Sequence, residues 1–242
     1  MHATGIIPAR FGSTRFPGKP LALLWGKPLI QHVWEKAVQA ETLSQVLVAT
    51  DDERILEAVH GFGGEAIMTS ADHPSGSDRV AELARSLKSD IIVNIQGDEP
   101  LLEPSSVDAA IRAFEQMPGF SIVTLGTPFR DAREWENPNC VKVLTNAGGY
   151  ALYFSRAQIP HGYNVRGGNE ERVWRHLGLY AYRRDALFEF CKLAPSSLEK
   201  LERLEQLRAL ENGMPVYVVP VEQASIGVDT PEELEKLNQR TA

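Results

Sequence analysis

The sequence predicts an α/β fold on a mostly parallel central sheet, and two patterns carry that expectation. Apolar runs recur at Gly5 to Pro8, Gln45 to Thr50 and Asp90 to Gln96, each bounded by turn residues. None alternates polar with apolar, which is how strands buried on both faces of a parallel sheet read. Amphipathic stretches lie between them. Leu29 to Val38 places Ile30, Val33, Trp34 and Ala37 on one helical face, Glu53 to Val59 follows the second run, and Val80 to Leu87 precedes the third. Strand and helix alternate in this way through residue 117, which calls for right-handed crossovers. At 242 residues the chain suits one large α/β domain with room for an inserted lobe.

The second half is less regular. Phe120 to Phe129, Val141 to Thr145, Tyr150 to Phe154 and Leu177 to Tyr182 read as strands, and 155–173 as a polar loop. Pro195 to Gly213 reads as one strong helix. Ser196 and Glu199 have capping-box spacing, and Gly213 stands where a C-cap belongs. Leu198, Leu201, Leu204, Leu207 and Leu210 recur every third residue, a stripe that winds widely around a helix. Such a face can be covered by the core alone or also by a second subunit. The chain closes with a strand at Val216 to Pro220 and a helix from Pro231, where Thr230 and Glu233 form a second capping box.

Composition narrows the function. Apolar residues make up 43%, enough for a sizeable core, and charged residues 24%. The net charge of −7 argues against a nucleic-acid partner. No apolar run approaches the roughly 20 residues of a membrane span, and the N-terminus lacks a secretory pattern, so a cytoplasmic protein is expected. Cys140 and Cys191 match no zinc or redox spacing, and two buried thiols are the plain reading. Arg10, Arg15, Lys19 and Lys27 all precede the first acidic residue, Glu35, so that segment carries +4 and the remainder −11. A basic opening on an acidic protein suits an anionic ligand, with a solvated surface run as the alternative.

The loop after the first strand gives that ligand a chemistry. Gly12 and Gly18 let backbone N–H groups approach phosphates. Ser13 and Thr14 add hydroxyls, and Arg10, Arg15 and Lys19 add the charge a triphosphate needs. The loop is neither a Walker loop nor a dinucleotide fingerprint. Asp98 follows the third strand, at the carboxyl end where ligands bind in open α/β sheets, with Gln96 and Glu99 beside it. Asp229 precedes the last helix. By themselves these two aspartates also read as turn or capping residues. Asp72 to Arg79 reads as a turn entering a helix. Six arginines stand between Arg156 and Arg184 against two acids, a basic face that could meet a carboxylate or only solvent.

The stretch Ile7-Pro8-Ala9-Arg10-Phe11-Gly12-Ser13-Thr14-Arg15-Phe16-Pro17-Gly18-Lys19-Pro20 closely resembles the signature of the 3-deoxy-manno-octulosonate (Kdo) cytidylyltransferases. Further agreeing stretches lie, in order, at 48–51, 71–76, 94–100, 150–156, 175–178, 204–208 and 227–230. The resemblance implies a Rossmann-like nucleotidyltransferase fold in a single domain, 1–242, with residues about 130–215 forming a smaller sugar-binding and dimerisation lobe. It implies transfer of CMP from CTP to the C2 hydroxyl of Kdo, for lipopolysaccharide, by a homodimer. A modified Kdo such as the 8-amino sugar, or CTP binding without turnover, are the alternatives. Carried over residue by residue, it implies that Asp98 and Asp229 bind a catalytic Mg²⁺, and that Lys19, Arg10, Arg15 and Asp98 are catalytic. Pro8, Ala9, Ser13, Asp72, Ser75, Gly76, Arg79 and Gln96 join Arg10, Arg15 and Lys19 around the nucleotide. The family commonly has Thr where Ser77 stands, a swap that keeps the hydroxyl. Arg156, His176, Tyr180, Glu205 and Gln206 are implied for the sugar.

Overall fold

The computed structural model describes residues 1–12, 16–116, 119–163, 172–223, 225 and 227–240. The chain forms two compact units, Met1–Asp108 with Ser225–Ala242, and Ala109–Ala224.

The first unit contains the predicted alternation. Strands β1 (Ala3–Ala9), β4 (Gln45–Thr50), β5 (Glu65–Met68) and β6 (Ile91–Asn94) lie in the order β6-β1-β4-β5, all parallel. The non-alternating runs are buried as expected: every residue of β6 is buried, and so are five of the six in β4. Helices α1 (Leu29–Ala37), α2 (Glu53–Gly61) and α3 (Gly76–Ala84) connect them. α1 buries Leu29, Ile30, Val33 and Ala37, while Trp34 is half-buried against Phe62. Asp52 caps α2 and Ser75 caps α3, each accepting from a backbone N–H in the first turn. β5 escapes sequence reading because four residues with only Ala66 buried carry no period. A two-stranded ribbon, β2 (Leu23–Leu24) and β3 (Lys27–Pro28), precedes α1.

The last helix, α9 (Pro231–Asn238), belongs to this unit and forms the expected capping box at Thr230 and Glu233. Its Leu234 and Leu237 cluster with Val228, Leu24 and Leu29. Full burial of one such side chain is worth roughly 2 kcal/mol. Asn238 also bridges the Trp25 N–H and the Leu23 carbonyl, at 2.7 and 3.0 Å. The C-terminal segment is thereby held against the ribbon.

Helix α4 (Pro104–Gln116) carries the chain into the second unit. There β7 (Ile122–Thr127), buried throughout, pairs parallel with β11 (Val216–Pro220) and antiparallel with β10 (Val173–Arg183). β8 (Lys142–Thr145) pairs antiparallel with β10 and with β9 (Ala151–Ser155). Two short helices, α5 (Ala132–Glu136) and α6 (Arg184–Lys192), complete its first part. β10 begins four residues before the expected start, taking Val173 to His176 into the sheet.

The single helix expected from Pro195 to Gly213 is two, α7 (Ser197–Glu202) and α8 (Leu207–Glu211). Arg203 adopts a left-handed conformation, φ 55°, and ends α7. A stripe of leucines every third residue cannot stay on one helical face. The break resolves that conflict by burying Leu204 and Leu207 and leaving Leu201 81% exposed. The strained turn costs about 1 kcal/mol. It is offset by the Arg156 guanidinium, which donates to the carbonyls of Glu202 and Arg203 at 2.9 and 3.4 Å. Arg208 closes α8 back onto α7, gripping Glu199 through two bonds of 2.8 and 2.6 Å. Both side chains are largely buried, and the guanidinium holds the Glu199 carboxyl below its ordinary pKa. Arg208→Ala is therefore expected to cost about 3 kcal/mol, read by urea unfolding, because it leaves a buried carboxylate without its partner.

Cys140 and Cys191 are half-buried rather than fully buried and carry no disulfide. Among the described residues, no helix is long and apolar enough to cross a membrane.

Candidate active site

A cleft of ≈ 260 Å³ opens in the first unit, and three segments meet at it. Pro8, Ala9 and Arg10 come from the end of β1, Lys19 and Pro20 from the 3-10 turn Lys19–Leu21 that follows the loop, and Gln96, Gly97 and Asp98 from the end of β6. These are neighbouring parallel strands, so their carboxyl ends bring the segments together. Gly97 suits this close approach, since a Cβ would stand 3.0 Å from the Pro8 carbonyl oxygen, tighter than ordinary contact. Gly18, at φ 71°, turns the chain into Lys19, while its N–H closes the loop onto the Phe11 carbonyl at 2.9 Å. The Phe11 ring in turn carries the Arg54 guanidinium at 3.4 Å.

Lys19 is the centre of the cleft. Its Nζ donates to Asp98 Oδ2 at 2.7 Å and to Asp229 Oδ1 at 3.5 Å. Asp229 reaches this point because the Val228 N–H bonds the Asp98 carbonyl at 2.8 Å, while Val228 itself is buried under α9. The Asp229 N–H is taken by Glu233 at 2.7 Å. Two carboxylates distant in sequence thus converge on one cation. Two oxygen donors of this kind fit Mg²⁺, which keeps several waters and accepts substrate phosphate oxygens. No group of three or more His, Cys, Asp or Glu side chains gathers as a metal cage among the described residues.

The opposite wall is the start of α3, with His73, Pro74, Ser75, Gly76 and Arg79. The Ser75 side chain accepts from the Asp78 N–H and donates to the Asp78 carboxylate, so the helix start is well defined. Arg79 is buried and already engaged, donating to Thr69 and Asp51 at 2.6 Å each. Its position suits support of the wall as much as contact with a ligand. Asp72 is exposed and lies off the cleft lining, with its N–H on Ser70. His73, Pro74, Pro20 and Gly97 join the cleft without having been singled out. Ser13 and Arg15 lie outside the described residues.

The second unit gathers the other candidates. His176 Nε2 contacts Tyr180 Oη at 2.9 Å and Thr124 Oγ1 at 3.0 Å. Gln206 is 8% exposed, and among the described residues its buried Nε2 has no hydrogen-bond partner. Glu205, next to it, lies 3.7 Å from Arg208. Arg156 spends three guanidinium donors on the carbonyls of Glu202, Pro138 and Arg203. Among the described residues, the other two of its five N–H groups have no acceptor. Glu202 fastens the same corner, accepting from Ser155 Oγ and the Arg156 N–H at 2.6 and 2.9 Å. Lys142, fully buried, donates to the Asn137 carbonyl at 2.8 Å and the Arg156 carbonyl at 3.3 Å. Burial lowers its pKa. Neither Lys142 nor Glu202 is marked in the sequence, where one sits inside an apolar strand and the other inside a charged helix.

A profile of the family described as cytidylyltransferase matches residues 4–219. The chain is 50% identical over 248 positions to a 3-deoxy-manno-octulosonate cytidylyltransferase of Geobacter sulfurreducens, covering 99% of each. It belongs to the 3-deoxy-manno-octulosonate cytidylyltransferase family. A relative of the same description from Syntrophotalea carbinolica is 49% identical, covering 97% of this chain and 96% of its own. A solved CMP:2-keto-3-deoxy-manno-octonic acid synthetase complexed with CTP matches this family member with TM-score 0.92 and 44% identity, covering 99% and 98%. The fold is shared more widely. A 4-diphosphocytidyl-2C-methyl-D-erythritol synthase from Anaerococcus prevotii matches at TM-score 0.63 with 13% identity. The α/β fold class read from the sequence is borne out.

His176 also gives this cytidylyltransferase a pH signature. Burial pulls its imidazole from an ordinary 6.5 down to about 3. The native state therefore holds it neutral while the unfolded chain binds a proton below pH 6.5, and the stability it contributes is lost as pH falls toward 3. Between pH 6.5 and 5 wild type should lose about 1.6 kcal/mol more than His176→Gln, measured by urea titration at both pH values.

Proposed function

We propose that this chain transfers CMP from CTP to the C2 hydroxyl of Kdo, releasing pyrophosphate, as a step toward lipopolysaccharide. The observation that carries the reading is the convergence of Lys19, Asp98 and Asp229 at a cleft lined by the loop motif. The Kdo-specific names of the relatives support the acceptor.

In this reading the first unit binds the nucleotide. Lys19 and Arg10, with Arg15, neutralise the triphosphate, and Lys19 stabilises charge growing on the α- and β-phosphates. The start of α3 lies along the nucleotide, where its first N–H groups and the helix dipole favour a polar or anionic contact. Asp98 and Asp229 would hold Mg²⁺, which when bound supplies Lewis-acid charge to phosphate oxygens and acidifies the attacking hydroxyl. Arg156, His176, Tyr180, Glu205 and Gln206 in the second unit recognise the acidic sugar by charge and hydrogen bonding. Little covalent help from the protein is needed, because positioning and charge stabilisation lower the barrier.

A coupled pyrophosphate assay tests this with CTP, Mg²⁺ and a panel of 2-keto acid sugars. Release with Kdo is the expected result. Release only with the 8-amino sugar would move the acceptor, and no release with any sugar would leave a CTP binder. A cytoplasmic homodimer completes the proposal, supported by the exposed Leu201 and Leu152. Light scattering on a sizing column checks the dimer.

A further inference from the structure

Thr124 lies in the middle of β7, fully buried, opposite Tyr180 across the β7–β10 pair. β10 shifts register between Leu177 and Tyr180. There the Leu177 and Leu179 carbonyls lie 3.2 and 2.9 Å from the Thr124 hydroxyl. His176 Nε2 is 3.0 Å from the same oxygen and 2.9 Å from Tyr180 Oη. Three acceptors therefore compete for one hydroxyl proton.

Hydrogen-bond accounting decides between them. Carbonyl oxygens can only accept, and a buried carbonyl left unpaired is costly. The Thr124 proton therefore goes to the bulge carbonyls, and its oxygen meets Nε2 with a lone pair. If Nε2 were unprotonated, two lone pairs would face each other at 3.0 Å. Nε2 must then carry the hydrogen. Burial keeps the ring from holding a second proton near neutral pH. Nε2–H donates to Thr124 and shares with the Tyr180 oxygen, so the imidazole does not consume the Tyr180 O–H. Burial pushes the Tyr180 pKa well above its ordinary value, outweighing a hydrogen bond with Thr124 that lowers it, so that group stays a hydroxyl.

We propose that Thr124 is a positioning residue for acceptor recognition. It fixes His176 as the Nε2–H tautomer. That leaves the Tyr180 O–H as a donor, and His176 Nδ1 as an acceptor, for the carboxylate and hydroxyl groups of an acidic sugar. The proposal rests on the reading of His176 and Tyr180 as acceptor contacts. Polarity of this kind selects against a ligand presenting the reverse pattern, because mismatched buried polar groups are left unpaired.

The test is long-range ¹H–¹⁵N NMR on wild-type enzyme labelled at histidine, with the His176 signals assigned through His176→Gln. The expected spectrum at pH 7 has hydrogen on Nε2 and a bare Nδ1. In Thr124→Val the Tyr180 hydroxyl becomes free to donate to Nε2, and the ring hydrogen moves to Nδ1. The KM for Kdo then rises about tenfold, the loss of one hydrogen bond, while the KM for CTP is unchanged. Thr124→Ser, which keeps the hydroxyl, restores both. A wild-type ring protonated on Nδ1 overturns the proposal, and this reading needs no variant should Thr124→Val fail to fold. An unchanged KM for Kdo in a folded Thr124→Val with a switched tautomer overturns it as well. Absence of turnover with any acidic sugar would count against the acceptor reading alone, since the wild-type spectrum decides the tautomer separately.

Discussion

Lys19→Ala should lower kcat/KM for CTP by about 10²- to 10³-fold, the size seen when one charge-stabilising donor is removed from a transition state. Pyrophosphate release measures it. The loss should fall mainly on kcat, because charge on the α- and β-phosphates grows as the bond to pyrophosphate breaks. A second readout separates this from misfolding. Lys19 bridges Asp98 and Asp229 at 2.7 and 3.5 Å, so its ammonium competes with any divalent cation for those oxygens. Without CTP, the variant should bind Mn²⁺ more tightly than wild type, seen by the loss of the free-ion paramagnetic resonance signal. Near-normal turnover would remove Lys19 from the chemistry, and weaker Mn²⁺ binding would remove the competition.

If Asp98 holds Mg²⁺ as proposed, Asp98→Asn should reduce kcat by about 10³-fold, since a charged ligand worth several kcal/mol to the transition state would become neutral. The magnesium response should flatten, with half-saturation moving to higher concentration. Fold stability should change little. Asp98 is attached to the Val228 segment through its main-chain carbonyl, which the substitution keeps. Its side chain is 30% exposed, where loss of an ion pair costs little. Thermal unfolding within a few degrees of wild type, beside a collapsed kcat, is the expected combination. A large drop in melting temperature would instead make Asp98 a structural anchor.

Both predictions rest on residues far apart in the chain that the fold brings to one cleft. The basic loop and the acid after the third strand were legible because each follows local rules, a glycine-rich turn after a buried strand and a carboxylate at a strand's end. Both capping boxes were legible for the same reason, as spacing within one helical turn fixes the contact. The helix break at Arg203 was not. It depends on Arg156, 47 residues away, donating to the carbonyls of the turn. The roles of Lys142, Glu202 and Thr124 were equally hidden. Each acts through one or more groups far away in the chain, and nothing in its immediate neighbours marks it.

By itself, then, the sequence determined the α/β class, three of the four parallel strands of the first unit and the capping boxes of α7 and α9. These follow from periodicity and turn chemistry, which act over a few residues. Only the tertiary structure decided that Lys19 stands between Asp98 and Asp229, that Arg156 gives two of its donors to a left-handed turn, and that His176 shares its inner nitrogen with Thr124 and Tyr180. Those arrangements are set by which strands become neighbours and which buried polar groups must find partners. They are properties of the packed chain, and no local pattern encodes them.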